Sequence, residues 1–158
     1  MFDNWKAAKH LGLHLDYLEK GKCEVALEIK KEAMTPHDDS VLLGGIILTA
    51  ASMAGVMALM TLLTKEEDGL ITGILESTFF QPAIPEEKYV LIRTAVLRPP
   101  AKNGNGQTKR SAIITVRAVS PNEELKAEFL FRYAVVSKER RHKRTEELRQ
   151  RVTAALLH

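Results

Sequence analysis

At 158 residues the chain fits one domain, long enough to bury a real core, and its 45% hydrophobic and 27% charged residues are ordinary for a globular protein. A single cysteine, Cys23, excludes an internal disulfide and any cysteine-based zinc cluster. The net charge of +3 is uneven: residues 138–151 hold seven basic and three acidic side chains, a local +4 that leaves the rest at −1. Such a run reads as a solvated helix face, and no aromatic-basic patch or helix-turn-helix accompanies it to suggest nucleic acid.

The opening residues, Phe2 to His10, predict a short helix with Phe2 and Trp5 on one side. They contain no basic segment followed by an apolar one, so no secretory leader is expected and a cytoplasmic setting is. Leu11 to Leu18 predicts a strand, and Lys20-Gly21 a turn. In the next strand Cys23, Val25, Leu27 and Ile29 alternate with Lys22, Glu24, Glu28 and Lys30, so one face is packed and the other wet. Cys23 therefore reads as a small buried hydrophobe, not a nucleophile.

A polar loop over 31–40 leads into Val41–Leu63, which carries no charge. Its length raises a membrane span. Its many small residues, Gly44, Gly45, Ala50, Ala51, Ala54, Gly55 and Ala58, equally suit a helix that neighbours approach closely. The flanking amphipathic strands need something to pack on, which favours a buried helix, apolar all round. Lys65 to Gly69 reads as a polar turn with a glycine stop.

Strands are then expected over Leu70–Phe80, Lys88–Leu97, Arg110–Val119 and Glu124–Val136, with a glycine-rich connection at 99–106 and a turn at Ser120-Pro121-Asn122-Glu123. In the last strand Leu125, Ala127, Phe129, Phe131, Tyr133 and Val135 share a face. The chain closes on a basic helix, 138–158, after a domain spanning 1–137. Strands without helices between them pair antiparallel, so the expected class is α+β: one long central helix wrapped by a curved antiparallel sheet, the hot-dog architecture. Such a sheet has open edges, and a homodimer or a dimer of dimers is the usual remedy.

The stretch His37-Asp-Asp-Ser-Val-Leu-Leu-Gly44-Gly45-Ile-Ile-Leu-Thr-Ala-Ala-Ser52 resembles the PaaI-like, phenylacetate-degradation type branch of hot-dog thioesterases. His10-Leu-Gly-Leu13 and Leu75-Glu-Ser-Thr-Phe-Phe-Gln-Pro-Ala83 extend the resemblance over about residues 8–136. It implies a hydrolase acting on an acyl-CoA or acyl-carrier thioester, with coenzyme A as part of the substrate and no separate cofactor. In that branch the N–H at the helix start polarises the thioester carbonyl, and a carboxylate eight residues after the first glycine attacks or activates water.

Laid on this sequence, the branch's asparagine becomes His37, its histidine Leu43 and its carboxylate Ser52, while Gly44 and Gly45 remain. A serine is no base at neutral pH. Asp39 or His37 is the candidate replacement, and Asp39-Ser40 also resembles the 4-hydroxybenzoyl-CoA type, where an aspartate in this loop acts. Asp38 and Asp39 have a plainer reading as caps on the helix, and Thr49 and Ser52 as residues bonding back into it.

Glu76 and Thr78 share a strand face. Thr78 falls where the branch often lines the acyl site, and Glu76 reads first as a wet-face residue and is a second candidate base only if turned toward the helix. Met53, Met57, Phe79 and Phe80 would line the acyl chain, and Lys102, Lys109 and Arg110 would meet the nucleotide phosphates. His10, His14, His37, His142 and His158 form no helical ligand pair unless 10–14 is helical, so no metal is expected. The loss of the acid also leaves open a non-catalytic acyl-CoA binding module. No nucleic-acid or membrane partner is expected.

Overall fold

The computed structural model describes residues 6–35, 38–101 and 111–156, with backbone alone at 35, 38, 39, 148, 149 and 151–156. In chain order the elements are α1 (Lys6–Leu11), β1 (Leu13–Glu19), β2 (Lys22–Glu28), β3 (Met34–Thr35), β4 (Asp38–Leu42), α2 (Gly44–Met60), β5 (Glu67–Phe79), β6 (Tyr89–Arg98), β7 (Ser111–Val119), β8 (Leu125–Ser137) and α3 (Lys138–Leu156). Six strands form one antiparallel sheet in the order β1-β2-β6-β7-β8-β5, and β3 and β4 make a separate small hairpin. This is the hot-dog arrangement.

Alternation decides which face of the sheet meets α2. Cys23, Val25 and Leu27 on β2, Val90, Ile92 and Thr94 on β6, and Ala127, Phe129, Phe131, Tyr133 and Val135 on β8 are all buried. Against them α2 sets Ile47, Ala50, Ala51, Ala54, Met57 and Ala58, a stripe of mostly small side chains that lets the sheet come close. At Gly55 the approach is closest, because a Cβ there would overlap the Tyr133 hydroxyl. That hydroxyl donates to the Ser52 carbonyl at 2.8 Å and ties β8 to the middle of the helix. No helix among the described residues is long and apolar enough to cross a membrane.

The helix is shorter than the apolar run. Val41 and Leu42 belong to β4, because Leu42 N–H donates to Ala83 O (2.9 Å) and Leu43 N–H to Ala33 O (3.0 Å), holding this segment extended. At the other end Thr61 turns its hydroxyl back onto Ala58 O (2.7 Å) and accepts the Gly21 N–H (2.7 Å). Gly69 is no helix stop. It lies inside β5, where a Cβ would sit 2.7 Å from Leu59 Cδ2, so it marks close packing of strand on helix. The expected loop over 31–40 holds a 3₁₀ turn, Lys31–Ala33, as well as β3 and part of β4. Ile29 falls just beyond β2.

Bulges settle the two edge strands. In β1 the register skips Asp16, so Leu13, Leu15 and Leu18 pair with Leu27, Val25 and Cys23 and all face inward. In β5 it skips Thr72 and Leu75, so Ile71, Ile74, Ser77 and Phe79 pair with Tyr133, Phe131, Phe129 and Ala127 on the helix side. Glu76 and Thr78 then pair with Leu130 and Glu128 on the outer side.

Burial, together with the Glu24 carboxylate, pushes the Cys23 thiol up to about 12 from 9.0. Burial likewise raises the Tyr133 phenol. Both groups keep their protons in the folded chain at a pH where the unfolded chain has lost them. Stability is therefore expected to be level up to pH 8 and to fall as pH rises from about 9 toward 12. Chemical unfolding across that window checks the sign, and Cys23→Ala should flatten part of the slope. A stability that rises between those limits would contradict the burial.

Candidate functional site

Two stretches of backbone meet at the start of α2. One is β4 running through Leu43 into Gly44 and Gly45. The other is the end of β5, Phe79-Phe80, continuing to Ala83, whose carbonyl holds Leu42. The second stretch is pinned from β8: Phe80 N–H donates to Lys126 O (2.9 Å), and the Lys126 ammonium reaches inward to Glu87 (2.6 Å) and Glu124 (3.3 Å). Burial pulls the Lys126 pKa down, but hydrogen bonds and charge from Glu87 and Glu124 outweigh it, and the value lies above that of an ordinary lysine.

The result is a helix N-terminus open on one side. The cap residue is Leu43, which offers no side-chain bond, and no acidic residue lies in the first turn. Ile46 N–H is satisfied by Leu43 O at 2.9 Å. The N–H groups of Gly44 and Gly45 precede the first intrahelical partner, so the positive end of the helix is presented there. Gly45 is exposed, and a Cβ built on it would meet nothing within 4 Å. Gly44 differs: a Cβ there would lie 3.1 Å from the Phe79 ring. Phe79 packs edge-on against Phe129 (centroids 5.5 Å apart) yet remains 49% exposed, so one side of it forms an apolar wall beside the glycine pair. A carbonyl oxygen placed at Gly45 would face an N–H donor, the helix dipole and an aromatic wall.

The other expected site residues distribute as follows. Thr49 is exposed and donates to Gly45 O (2.8 Å), and Ser52 donates to Thr49 O (2.8 Å). Both hydroxyls bond back into the helix, and the Ser52 carbonyl is engaged by Tyr133. Among the described residues the Ser52 hydroxyl hydrogen-bonds to no acidic or imidazole side chain. Met53 is half-buried on the same open side of α2, Met57 is buried nearer its end, and Phe80 is exposed beside Phe79.

Thr78 does not line the helix side, which corrects that expectation, and Glu76 takes the wet outer face, because Phe79 occupies the inward register position and sends both outward. The Glu76 side chain is exposed and makes no hydrogen bond or ion pair among the described residues. The capping role for Asp38 and Asp39 also fails, since both lie in β4, ahead of the Leu43 cap. His37, Lys102, Lys109 and Arg110 lie outside the described residues, and of Asp39 only the backbone is described.

The open face itself was not read from the sequence. Gly45, Thr49, Ser52, Met53 and Val56 form a half-exposed stripe along α2, flush with Ile71, Ile74 and Phe79, which face inward on β5 yet stay uncovered. The missed signal lies in the helix itself, where the small polar residues Thr49 and Ser52 follow Gly45 at spacings of four and three.

No family model and no curated protein matches the chain. Solved structures do. A thioesterase family protein from Silicibacter pomeroyi superposes with a TM-score of 0.71 at 20% identity, covering 86% of this chain and 93% of its own. The PaaI protein of the E. coli phenylacetic acid degradation operon gives 0.70 at 16%, covering 87% and 88%. A thioesterase from Haemophilus influenzae gives 0.69 at 15%, covering 85% of each chain. The chain therefore has the hot-dog fold found in thioesterase-family proteins, PaaI among them.

Proposed function

We propose that the chain hydrolyses the thioester of an acyl-CoA or of an acyl group on another carrier. The observation that carries this reading is the head of α2, where Gly44 and Gly45 meet no capping side chain and the Phe79 ring stands beside Gly44. The thioester carbonyl accepts from the Gly45 N–H, and the charge that develops on its oxygen as water adds is held by the donor and the helix dipole. The base that takes the proton from water is Asp39 or His37, in or beside the strand that runs straight into the helix. Gly44 lets the Phe79 ring approach, and the acyl chain follows Phe79, Phe80 and Met53 along the open side of α2. Lys102, Lys109 and Arg110 answer the phosphates of coenzyme A. No other cofactor is required.

The same open side supports a homodimer, or a dimer of dimers, in which a second copy covers the stripe on α2 and the bare inner face of β5. The setting proposed is cytoplasmic. A second reading, a module that binds acyl-CoA without cleaving it, is favoured by one observation: the Ser52 hydroxyl is spent within the helix.

A thiol-release assay over short, long and aromatic acyl-CoAs separates the two. The expected result is turnover by a sedimenting dimer, falling roughly 10²–10⁴-fold in Asp39→Asn or His37→Ala while acyl-CoA binding persists. Saturable binding without turnover on any substrate would leave the binding module.

A further inference from the structure

The curled sheet leaves a gap at the opposite end of α2. Strands β1 and β5 are its two edges and do not pair with each other, yet both border one cavity of about 570 Å³ beyond the helix C-terminus. This lies about 24 Å from Gly44 along the helix axis at 1.5 Å per residue, so it is not the Gly45 site. Its walls are Leu15 and Leu18 of β1, Met57 and Met60 of α2, and Leu63. Leu15 and Leu18 sit on the inner face, in register with Val25 and Cys23, but remain 36% and 45% exposed because the helix ends before reaching them. The volume is that of a small-molecule site.

Apart from Thr61, the polar lining residues stand near the exposed end of the cavity. Inside, the Thr61 hydroxyl already donates to Ala58 O and accepts from Gly21 N–H, which leaves it little capacity for a ligand. At the rim stand Thr64, Glu67 and two lysines, Lys65 and Lys138. Glu67 turns its Oε2 onto Thr64 N–H at 3.0 Å. The Lys138 ammonium is held against the Lys65 carbonyl, while the Lys65 ammonium is exposed with no carboxylate partner among the described residues. An apolar body with no hydrogen-bonding groups and an anionic head at one end is the ligand that satisfies both the walls and the rim.

We infer that this cavity is a second binding site, separate from the Gly45 end of α2, for a free straight-chain fatty carboxylate whose alkyl chain lies between the β1 leucines and the two α2 methionines and whose carboxylate meets Lys65 and Lys138. Its occupancy depends on neither Gly45 nor Asp39, so it holds whichever reading of the first site is correct.

Calorimetry with sodium decanoate, kept below its micelle concentration, tests this on the full chain. One saturable site per chain is expected. Lys65→Glu should weaken it roughly fivefold, the scale of one exposed charge contact. Leu18→Glu, which sets a carboxylate in the apolar mouth, should weaken it at least about tenfold. Decanol should bind more weakly than decanoate and be indifferent to Lys65→Glu. Gly45→Pro should leave the decanoate affinity unchanged. Absence of saturable heat overturns the inference, as does decanoate binding untouched by both cavity variants. Loss of binding in Gly45→Pro would place the carboxylate at the other end of the helix and overturn it too. So would a self-association that Leu18→Glu abolishes with no decanoate heat in the parent, because a second copy would then fill the gap.

Discussion

Gly45→Pro is expected to lower thioester turnover by about 10²–10³-fold while leaving the fold nearly as stable as the parent. Proline removes one atom that matters here, the amide hydrogen. In a first helical turn that hydrogen has no intrahelical acceptor, so its loss costs the helix little, and the fixed φ of proline suits the position. Gly45→Ala is the matching control. A Cβ at this position meets nothing within 4 Å, so alanine keeps the N–H and adds no clash. Turnover in Gly45→Ala should stay within a few-fold of the parent, and unfolding curves of all three proteins should overlay closely. If the alanine and proline variants lose activity equally, the N–H is not the catalytic donor and the site lies elsewhere. A drop confined to KM would mean that Gly45 only helps to seat the substrate.

The second large effect concerns stability. Gly55→Ala is expected to destabilise the fold by about 2 kcal/mol, although alanine is the better helix former by about 1 kcal/mol. The added methyl would overlap the hydroxyl of Tyr133, a fully buried side chain with no room to retreat. Moving the ring breaks the 2.8 Å bond to the Ser52 carbonyl, which loses a partner in the interior. Urea unfolding reads the shift directly. Tyr133→Phe should cost about 1 kcal/mol by itself, from the lost hydrogen bond. In the double variant the hydroxyl is gone, so the cost of the alanine should shrink by about 1 kcal/mol or more. Additive losses would show that the contact is not what keeps position 55 a glycine.

Where period-two patterning was intact, the sequence was easy to read. On β2 and β8 each predicted inward residue within the strand's central stretch is buried, because a regular ladder keeps every side chain on its own face. Strand β5 defeats the same reading. Two extra residues, Thr72 and Leu75, change the parity twice, and only the pairing with β8 tells which face Glu76 and Thr78 take. The start of α2 was blurred for a different reason. Val41 and Leu42 are as apolar as the helix, and Leu43 is not a residue that announces a cap, so nothing in composition separates strand from helix.

The glycine pair at the helix head stood out in the sequence, and its open N–H belongs to the backbone whatever the neighbouring side chains. Tyr133 did not stand out as the partner of Ser52, since 81 residues separate them and only the closed sheet joins them. The cavity beyond Met60 was equally hidden. Leu15 and Leu18 are three apart and would face opposite ways on an unbroken strand, and only the bulge at Asp16 brings them to one side.

The bulges of β5 also bear on how copies of the chain can add to one another. A long, exposed edge strand that leaves Leu70, Ile71, Ile74, Leu75 and Phe79 uncovered is the kind of template from which fibrils grow. Here the skipped residues at 72 and 75 interrupt the row of outward N–H and C=O groups and increase the local twist. A flat strand could not lie along its full length, so unlimited sheet extension is frustrated. The same defects that obscure the strand in the sequence limit how far any second strand could pair along this edge.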